Sequence, residues 1–378
     1  MDLTVITTYR CNSRCSTCNI WMHPTRPADE IGLDVLEKIP SGIDNLNITG
    51  GEPTIRADLA EIVDVLYSKA RKLEISSNGM YPQRLESIIK KYPDIKIRFS
   101  LEGTDKVSDT IRGEENGFQT KVAGLQRLKE LGGCDLGFAA TIQDDNVADL
   151  PFLYELTQKM GVELATSALH NGFQFHKNDN YPYDRQKVAH GIEYLITAML
   201  KTNSVKNWFR AYLNLGLMEK VLGNDRLIPC TAASDFVFVD PWNDVYACNV
   251  RNDLLMGNLK SQSWDEVYNG DRAVQIRQMV AACAQNCWMV GSARTAMRHP
   301  VFTKLPKPKP MAWVIVNKLR ATLGLRIPFE KYVNFYQSGM YPSGIKRQNF
   351  LNVSSSVRRQ LHTEDDGHYD AFGEFRNR

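Results

Sequence analysis

Seven of the eight cysteines fall in two groups: Cys11, Cys15 and Cys18 near the start, and Cys230, Cys248, Cys283 and Cys287 far downstream. The spacing Cys11-x3-Cys15-x2-Cys18 puts three thiolates on one loop. Three thiolates can bind three irons of a four-iron cluster and leave the fourth iron open to a small molecule. A structural zinc site is the competing reading; it wants a fourth ligand, for which His23 stands near. The downstream group supplies four thiolates, enough to close a cluster or a zinc site completely. Cys134 stands alone and is expected to be a buried thiol rather than a ligand.

The elements that would carry these groups alternate. Leu3–Tyr9, Asn45–Thr49, Lys72–Ser77, Ile95–Leu101, Asp135–Thr141 and Val162–Thr166 are short apolar or β-rich runs. Helical patterns lie between them, such as Leu59, Ile62, Val63 and Leu66. Six strand–helix units argue for a parallel sheet with helices outside it, a partial barrel or an open sheet, with chemistry at the C-terminal strand ends. Those ends carry small polar residues and glycines: Gly50-Gly51-Glu52-Pro53, Ser76-Ser77-Asn78-Gly79 and Ser100-Leu101-Glu102-Gly103. Two glycines with a carboxylate behind them suit gripping a ligand's ammonium group, although a plain turn reads the same way. Tyr181–Leu222 is helical, and Phe236–Val239 with Val245–Ala247 forms a hairpin across Asp240-Pro241-Trp242-Asn243-Asp244. Helices follow over Ser263–Asn269 and Asp271–Ala282.

Composition bounds the rest. The 378 residues are 43% hydrophobic and 24% charged, which excludes a wholly disordered or fibrous chain. A net charge of +3 does not point to nucleic acid as the main partner. There is no run of apolar residues long enough to span a bilayer and no basic leader at Met1–Ile6, so a cytoplasmic protein is expected.

Taken together, the sequence resembles the radical S-adenosylmethionine (SAM) superfamily over Leu3 to Ser167. Cys11, Cys15 and Cys18 match its cluster motif, Gly50–Pro53 its GGEP motif for the methionine amino group, and Ser76–Gly79 and Ser100–Gly103 its adenosyl-contacting strand ends. The resemblance implies an α/β fold: a partial (β/α)6 barrel with a [4Fe–4S] cluster chelated by SAM. It implies cofactor contacts from Gly50, Gly51, Glu52, Ser77, Asn78, Ser100, Glu102 and Arg112. Thr17 departs from the aromatic residue usual before the third cysteine, and Glu102 from the usual Asp. The segment around Cys230, Cys248, Cys283 and Cys287 resembles SPASM and Twitch domains, which hold auxiliary [4Fe–4S] clusters. Four cysteines rather than seven fit the Twitch arrangement with one cluster. The twitch-type 2-deoxy-scyllo-inosamine dehydrogenase family shares the Cys230–Cys248 spacing, but its last pair is C-x2-C. The expected organisation is a core barrel over 1–205, a helical bridge over 206–228, an auxiliary-cluster domain over 229–290 and a basic, proline-punctuated extension over 291–378.

The chemistry so implied is reductive cleavage of SAM to a 5′-deoxyadenosyl radical that abstracts hydrogen from substrate. The auxiliary cluster could accept an electron for a net oxidation. With only ten residues ahead of Cys11, and so no room for a leader-binding domain, the expected substrate is a small molecule: carbohydrate-like, an aminocyclitol or a lipid-linked glycan. A peptide maturase is the alternative, and a zinc-bound nucleic-acid-binding protein the alternative of another class. His170 and Asn171, after the sixth strand, are expected to point into the lumen, His170 as the substrate-facing residue, with Arg210, Tyr212 and Asp235 as weaker candidates. A flavodoxin- or ferredoxin-type donor is implied as electron partner. Arg294–Arg359 holds 13 Lys/Arg against Glu330 alone. Within it, Ala312, Ile315, Val316, Leu319 and Leu323 form an apolar stripe, with Asn317 and Arg320 off it. The stripe is expected to dock on the protein's own surface, with a peripheral membrane contact as the alternative.

Overall fold

The computed structural model describes residues 1–298, 310–331 and 333, and the backbone of 340–341 and 345–346. Six parallel strands form the first part of one sheet: β1 (Asp2–Ile6), β2 (Asn45–Thr49), β3 (Leu73–Ser77), β4 (Lys96–Ser100), β5 (Asp135–Ile142) and β6 (Glu163–Ala168). Three more complete it: β7 (Phe236–Val239), β8 (Asp244–Tyr246) and β9 (Leu255–Asn258). The order is β6-β5-β4-β3-β2-β1-β7-β8-β9. β7 joins β1 in parallel, and β8 and β9 add antiparallel, so the downstream hairpin extends the barrel sheet.

Strand chemistry decides which face looks inward. In β2, Leu46 and Ile48 are buried while Asn45, Asn47 and Thr49 are half-buried; in β3, Leu73 and Ile75 are buried and Glu74 and Ser76 are not. The apolar face packs under helices and the polar face lines the lumen, following the period of two. The helices are α1 (Leu33–Leu36), α2 (Leu59–Tyr67), α3 (Glu86–Lys91), α4 (Asp105–Arg112), α5 (Gly117–Glu130) and α6 (Leu150–Met160). The stripe Leu59, Ile62, Val63 and Leu66 is buried, as its spacing predicts.

Tyr181–Leu222 resolves into α7 (Arg185–Lys201) and α8 (Val205–Leu222), parted at Ser204, whose hydroxyl caps α8 through the Asn207 amide at 3.4 Å. Then come α9 (Trp264–Asn269), α10 (Asp271–Ala281), α11 (Val290–Arg298) and α12 (Pro310–Thr322). Strand β9 was not legible in the sequence, since Leu255-Met256-Gly257-Asn258 is short and ends in turn residues. Cys134 corrects a second expectation: it is exposed, its thiol donating to the Pro93 carbonyl at 3.1 Å.

No helix among the described residues is long and apolar enough to cross a membrane.

Candidate active site at the barrel rim

The cysteine loop leaves β1 and is tied to its surroundings mainly by backbone. The Gly51 amide donates to the Thr8 carbonyl at 2.7 Å and the Glu52 amide to that of Arg10 at 2.9 Å. These bonds carry the β1–β2 ladder one step past the strand ends. A Cβ on Gly50 would stand 2.6 Å from the Thr8 oxygen, and one on Gly51 2.3 Å from that of Arg10, so only glycine fits. On the other side, the amides of Arg14 and Ser16 donate to the carbonyls of Arg112 and Ile111 at 2.9 and 2.8 Å.

Glu52 is fully buried. It accepts from the Thr54 amide (2.9 Å), the Thr54 hydroxyl (2.6 Å), the Ser77 hydroxyl (2.9 Å) and the Asn78 amide (2.5 Å). The Asn78 side chain donates to Asn12 Oδ1 at 2.7 Å and Ser13 Oγ at 2.8 Å. Glu52, Ser77 and Asn78 therefore brace the tips of β2 and β3 and the cysteine loop. None of the three lines the rim cavity, whereas Gly50 and Gly51 do.

Behind Cys15 lies a buried chain of charge. Arg112 donates to Glu102 at 3.0 Å and to Glu114 at 3.1 Å, and Lys121, wholly buried, pairs with Glu114, which also accepts from Ser13. Glu102 takes a further bond from the Thr141 amide at 2.7 Å. Burial opposes charge on Arg112, but Cys15, Glu114 and Glu102 together raise its pKa. Burial pulls Lys121 down to about 8. Burial also pushes Cys11 up to about 11 and Cys18 to about 12, and raises Cys15, so each thiol keeps its proton until a metal displaces it.

A cavity of about 370 Å³ runs from this loop down the lumen. Cys11, Cys15, Cys18, Ser100, Glu102 and Arg112 line its upper end, and Asn45, Lys72 and Lys96 its floor. His170 lies half-buried in its wall, with its ring withdrawn from water, which drives its pKa down to about 3 and keeps the ring neutral. Its Nδ1 faces the Ala168 carbonyl at 3.1 Å, so that nitrogen carries the proton; Nε2 is left as a buried acceptor without a partner. Asn171 accepts from the Asn180 amide, whereas Arg210 pairs with Glu163 at 2.6 Å and Tyr212 packs edge-on against Trp313. Asn171, Arg210, Tyr212 and Asp235 do not line the cavity.

Trp21, Phe175 and Asn180 are among the lining residues that the sequence did not single out. Trp21 donates to the Cys18 carbonyl at 3.0 Å, Phe175 accepts from the Asn19 amide at 2.8 Å, and Asn180 bonds the carbonyls of Thr17 (2.8 Å) and His170 (3.1 Å). Trp21, three residues past the last cysteine, could have been found as a substitute for the aromatic absent at Thr17. Phe175 and Asn180 come from an irregular segment that carries no pattern.

The second cysteine group surrounds the end of β7–β8 and the start of α11. Cys230, Cys248 and Cys287 act on one another electrostatically, and burial pushes Cys248 up to about 12. Cations attend them: Arg226 reaches Cys287, Arg251 bonds Cys283, and Lys220 lies within electrostatic reach of Cys287 while holding the Ala168 and Leu169 carbonyls at 3.0 and 2.8 Å. Among the described residues no three His, Cys, Asp or Glu side chains are close enough to share one metal ion. His23, the ligand a zinc reading needs, instead stacks on His176 at 4.2 Å. Three thiols on one cavity-lining loop, and four more on the segments before β7, after β8 and after α10, suit two multi-iron clusters better than zinc ions.

The sequence matches the Radical SAM superfamily over residues 5–156 and the SPASM iron–sulfur cluster-binding domain over residues 230–288. The chain is a radical SAM enzyme with a SPASM-type domain. Its cofactors are SAM and two [4Fe–4S] clusters, which removes the zinc reading. It is 28% identical to mycofactocin maturase MftC of Mycobacterium ulcerans, over 79% of this chain and 83% of that protein. It is 24% identical to the sporulation killing factor maturation protein SkfB of Bacillus subtilis, over 43% and 40%. In fold it resembles Streptococcus suis SuiB bound to S-adenosylmethionine, with a TM-score of 0.55 at 18% identity, covering 73% of this chain and 67% of that one. It also resembles anSMEcpe with bound AdoMet, with a TM-score of 0.54 at 13% identity, over 86% and 97%.

Proposed function

We propose that this radical SAM enzyme modifies a peptide, in the manner of a maturase, rather than a small metabolite. The observation that carries this is the match to mycofactocin maturase MftC across about four-fifths of both chains. A second relative, SkfB, is a maturation protein, and solved structures of similar fold hold peptides: SuiB with the precursor peptide SuiA, and anSMEcpe with the Cp18Cys peptide. The small-molecule expectation drew on the short stretch ahead of Cys11, which weighs less than a match of that extent.

In this reading Cys11, Cys15 and Cys18 hold the SAM-binding cluster, and Cys230, Cys248, Cys283 and Cys287 hold the auxiliary one. Cluster and SAM together supply hydrogen-atom abstraction from an unactivated C–H bond. The backbone at Gly50 and Gly51, with Ser100, Glu102 and Arg112, orients the cofactor's polar groups around the upper cavity. His170 Nε2 accepts a hydrogen bond from substrate and moves no proton near neutral pH, because its ring stays neutral. Trp21 and Phe175 exclude water from the upper cavity, with Ile20 beside them. A flavodoxin- or ferredoxin-type protein supplies the electron.

The test is anaerobic reconstitution, with iron and sulfide counted beside a Cys11/Cys15/Cys18→Ala variant. About eight irons falling to about four, with SAM cleavage lost, is expected for two four-iron clusters. The enzyme is then given SAM, reductant and any short peptide encoded beside its gene, and the products are weighed by mass spectrometry. A changed peptide mass, with 5′-deoxyadenosine formation raised by the peptide, is expected; loss of two hydrogens marks a net oxidation. An unchanged peptide beside an altered sugar or aminocyclitol would overturn the reading.

A further inference from the structure

Helix α12 presents to solvent the side that its sequence pattern assigns to the core. Trp313, Val314, Asn317 and Ala321 are buried against α7 and α8, and the Asn317 side chain donates to the Trp313 carbonyl at 2.9 Å. The stripe expected to dock on the protein points the other way. Ile315 is 53% exposed, Val316 48%, Leu319 58% and Leu323, just past the helix, 71%. Met311 at one flank and Leu325 in the following turn are also exposed. A contiguous apolar patch of this kind on a protein surface marks a place where something binds.

The charges around the stripe say what. At about 100° per residue, Lys318 and Arg320 border it on opposite sides. Lys318 donates to the Thr202 carbonyl at 2.8 Å and lies over the Trp208 ring, so the aliphatic stem edges the stripe. Arg326 and Lys331 follow; the one carboxylate between 310 and 331, Glu330, is paired with Arg326 at 3.2 Å. The cationic excess continues along the sequence in both directions, from Arg294 to Arg359. A second copy of this chain docking stripe to stripe would bring Lys318 and Arg320 against their own like charges. A bilayer bearing anionic headgroups answers both features at once, taking the apolar stripe into its acyl boundary and the flanking cations at its phosphates.

We propose that α12 is a membrane-surface helix that seats the enzyme on an anionic bilayer, with Ile315, Val316, Leu319 and Leu323 entering the lipid. It lies in the interface and does not span it. The proposal stands on this helix alone and is independent of the substrate assignment.

Flotation of the full-length, cluster-loaded protein with vesicles tests it. One set is phosphatidylglycerol mixed with phosphatidylcholine; the other is phosphatidylcholine alone. Binding to the mixed vesicles, weaker binding to the neutral ones, and a fall of at least about tenfold in Ile315→Glu/Leu319→Glu are expected. Both substituted residues face solvent, so the variant keeps its fold, iron content and basal SAM cleavage. Failure of the wild type to float, or equal flotation of the variant, would overturn the proposal. So would a wild-type dimer, seen by light scattering, that the variant turns into a monomer, since the stripe would then be covered by a second copy.

Discussion

Arg226 Nη1 stands 3.9 Å from the Cys287 sulfur, and its guanidinium lies over the Trp288 ring at 5.0 Å. The same side chain is anchored by the Ile228 carbonyl at 2.8 Å and by Ser292, so the charge is held in place. A fixed cation beside an iron–sulfur ligand favours the reduced, more negative cluster. Arg226→Gln is expected to lower the auxiliary cluster's midpoint potential by roughly 60 mV, tenfold in a one-electron equilibrium. Arg226→Lys should recover part of the shift. Electron paramagnetic resonance redox titration of the Cys11/Cys15/Cys18→Ala background reads this cluster by itself.

Arg112 joins Glu102 and Glu114 where all three are largely withdrawn from water. Removing the cation strands Glu102 and leaves Glu114 to Lys121. Arg112→Met is therefore expected to cost about 3–5 kcal/mol of stability, the range for breaking a buried pair from one side. Denaturant unfolding measures the loss. Because the Arg112 carbonyl also anchors the Arg14 amide, reduced iron content in the first site should accompany it.

Gly51 approaches the Arg10 carbonyl too closely for any side chain, with 2.3 Å left for a Cβ. Gly51→Ala must push the cysteine loop away from β2. Expected are about four irons per chain in place of about eight, since the second site is remote. Iron analysis checks this; undiminished loading would show that the loop adjusts freely.

His170 sets a pH dependence. Its folded pKa is depressed to about 3 by burial, from an ordinary 6.5. Between those values the unfolded chain binds a proton that the folded chain does not. Stability due to this residue is therefore complete above pH 6.5 and drains away as pH falls toward 3, by at most about 1.4 kcal/mol per pH unit. As pH falls across this range the melting temperature of wild type should drop further than that of His170→Gln. The variant keeps an acceptor but does not titrate.

The sequence was most informative where local chemistry is repetitive. Alternation such as Asn45-Leu46-Asn47-Ile48-Thr49 gives both the strand and its inward face, and glycines crowd the strand ends because backbone meets backbone there. The fate of a single polar group was less legible. Glu52 reads as a ligand-gripping carboxylate, but the donors that consume it come from Thr54, Ser77 and Asn78, two of them at the tip of another strand. Cavity residues from irregular chain, Phe175 and Asn180, have no period to reveal them. In α12 the pattern misleads, because Trp313, Val314 and Ala321 make a second apolar face opposite the first and tertiary packing chose between them.

Strand β1 is paired on both edges, with β2 and with β7, Asp2 standing opposite Phe236. This pairing closes a very long stretch of chain, and parallel contacts across such distances form late and slowly. Until β7 arrives, β1 offers an unsatisfied edge onto which another chain can add. The order of assembly thus becomes a hazard in production: a chain cut before residue 236 loses more than a cluster, because it is left with an adhesive margin. Slow, cool expression of the uncut chain is the condition under which the sheet can seal itself.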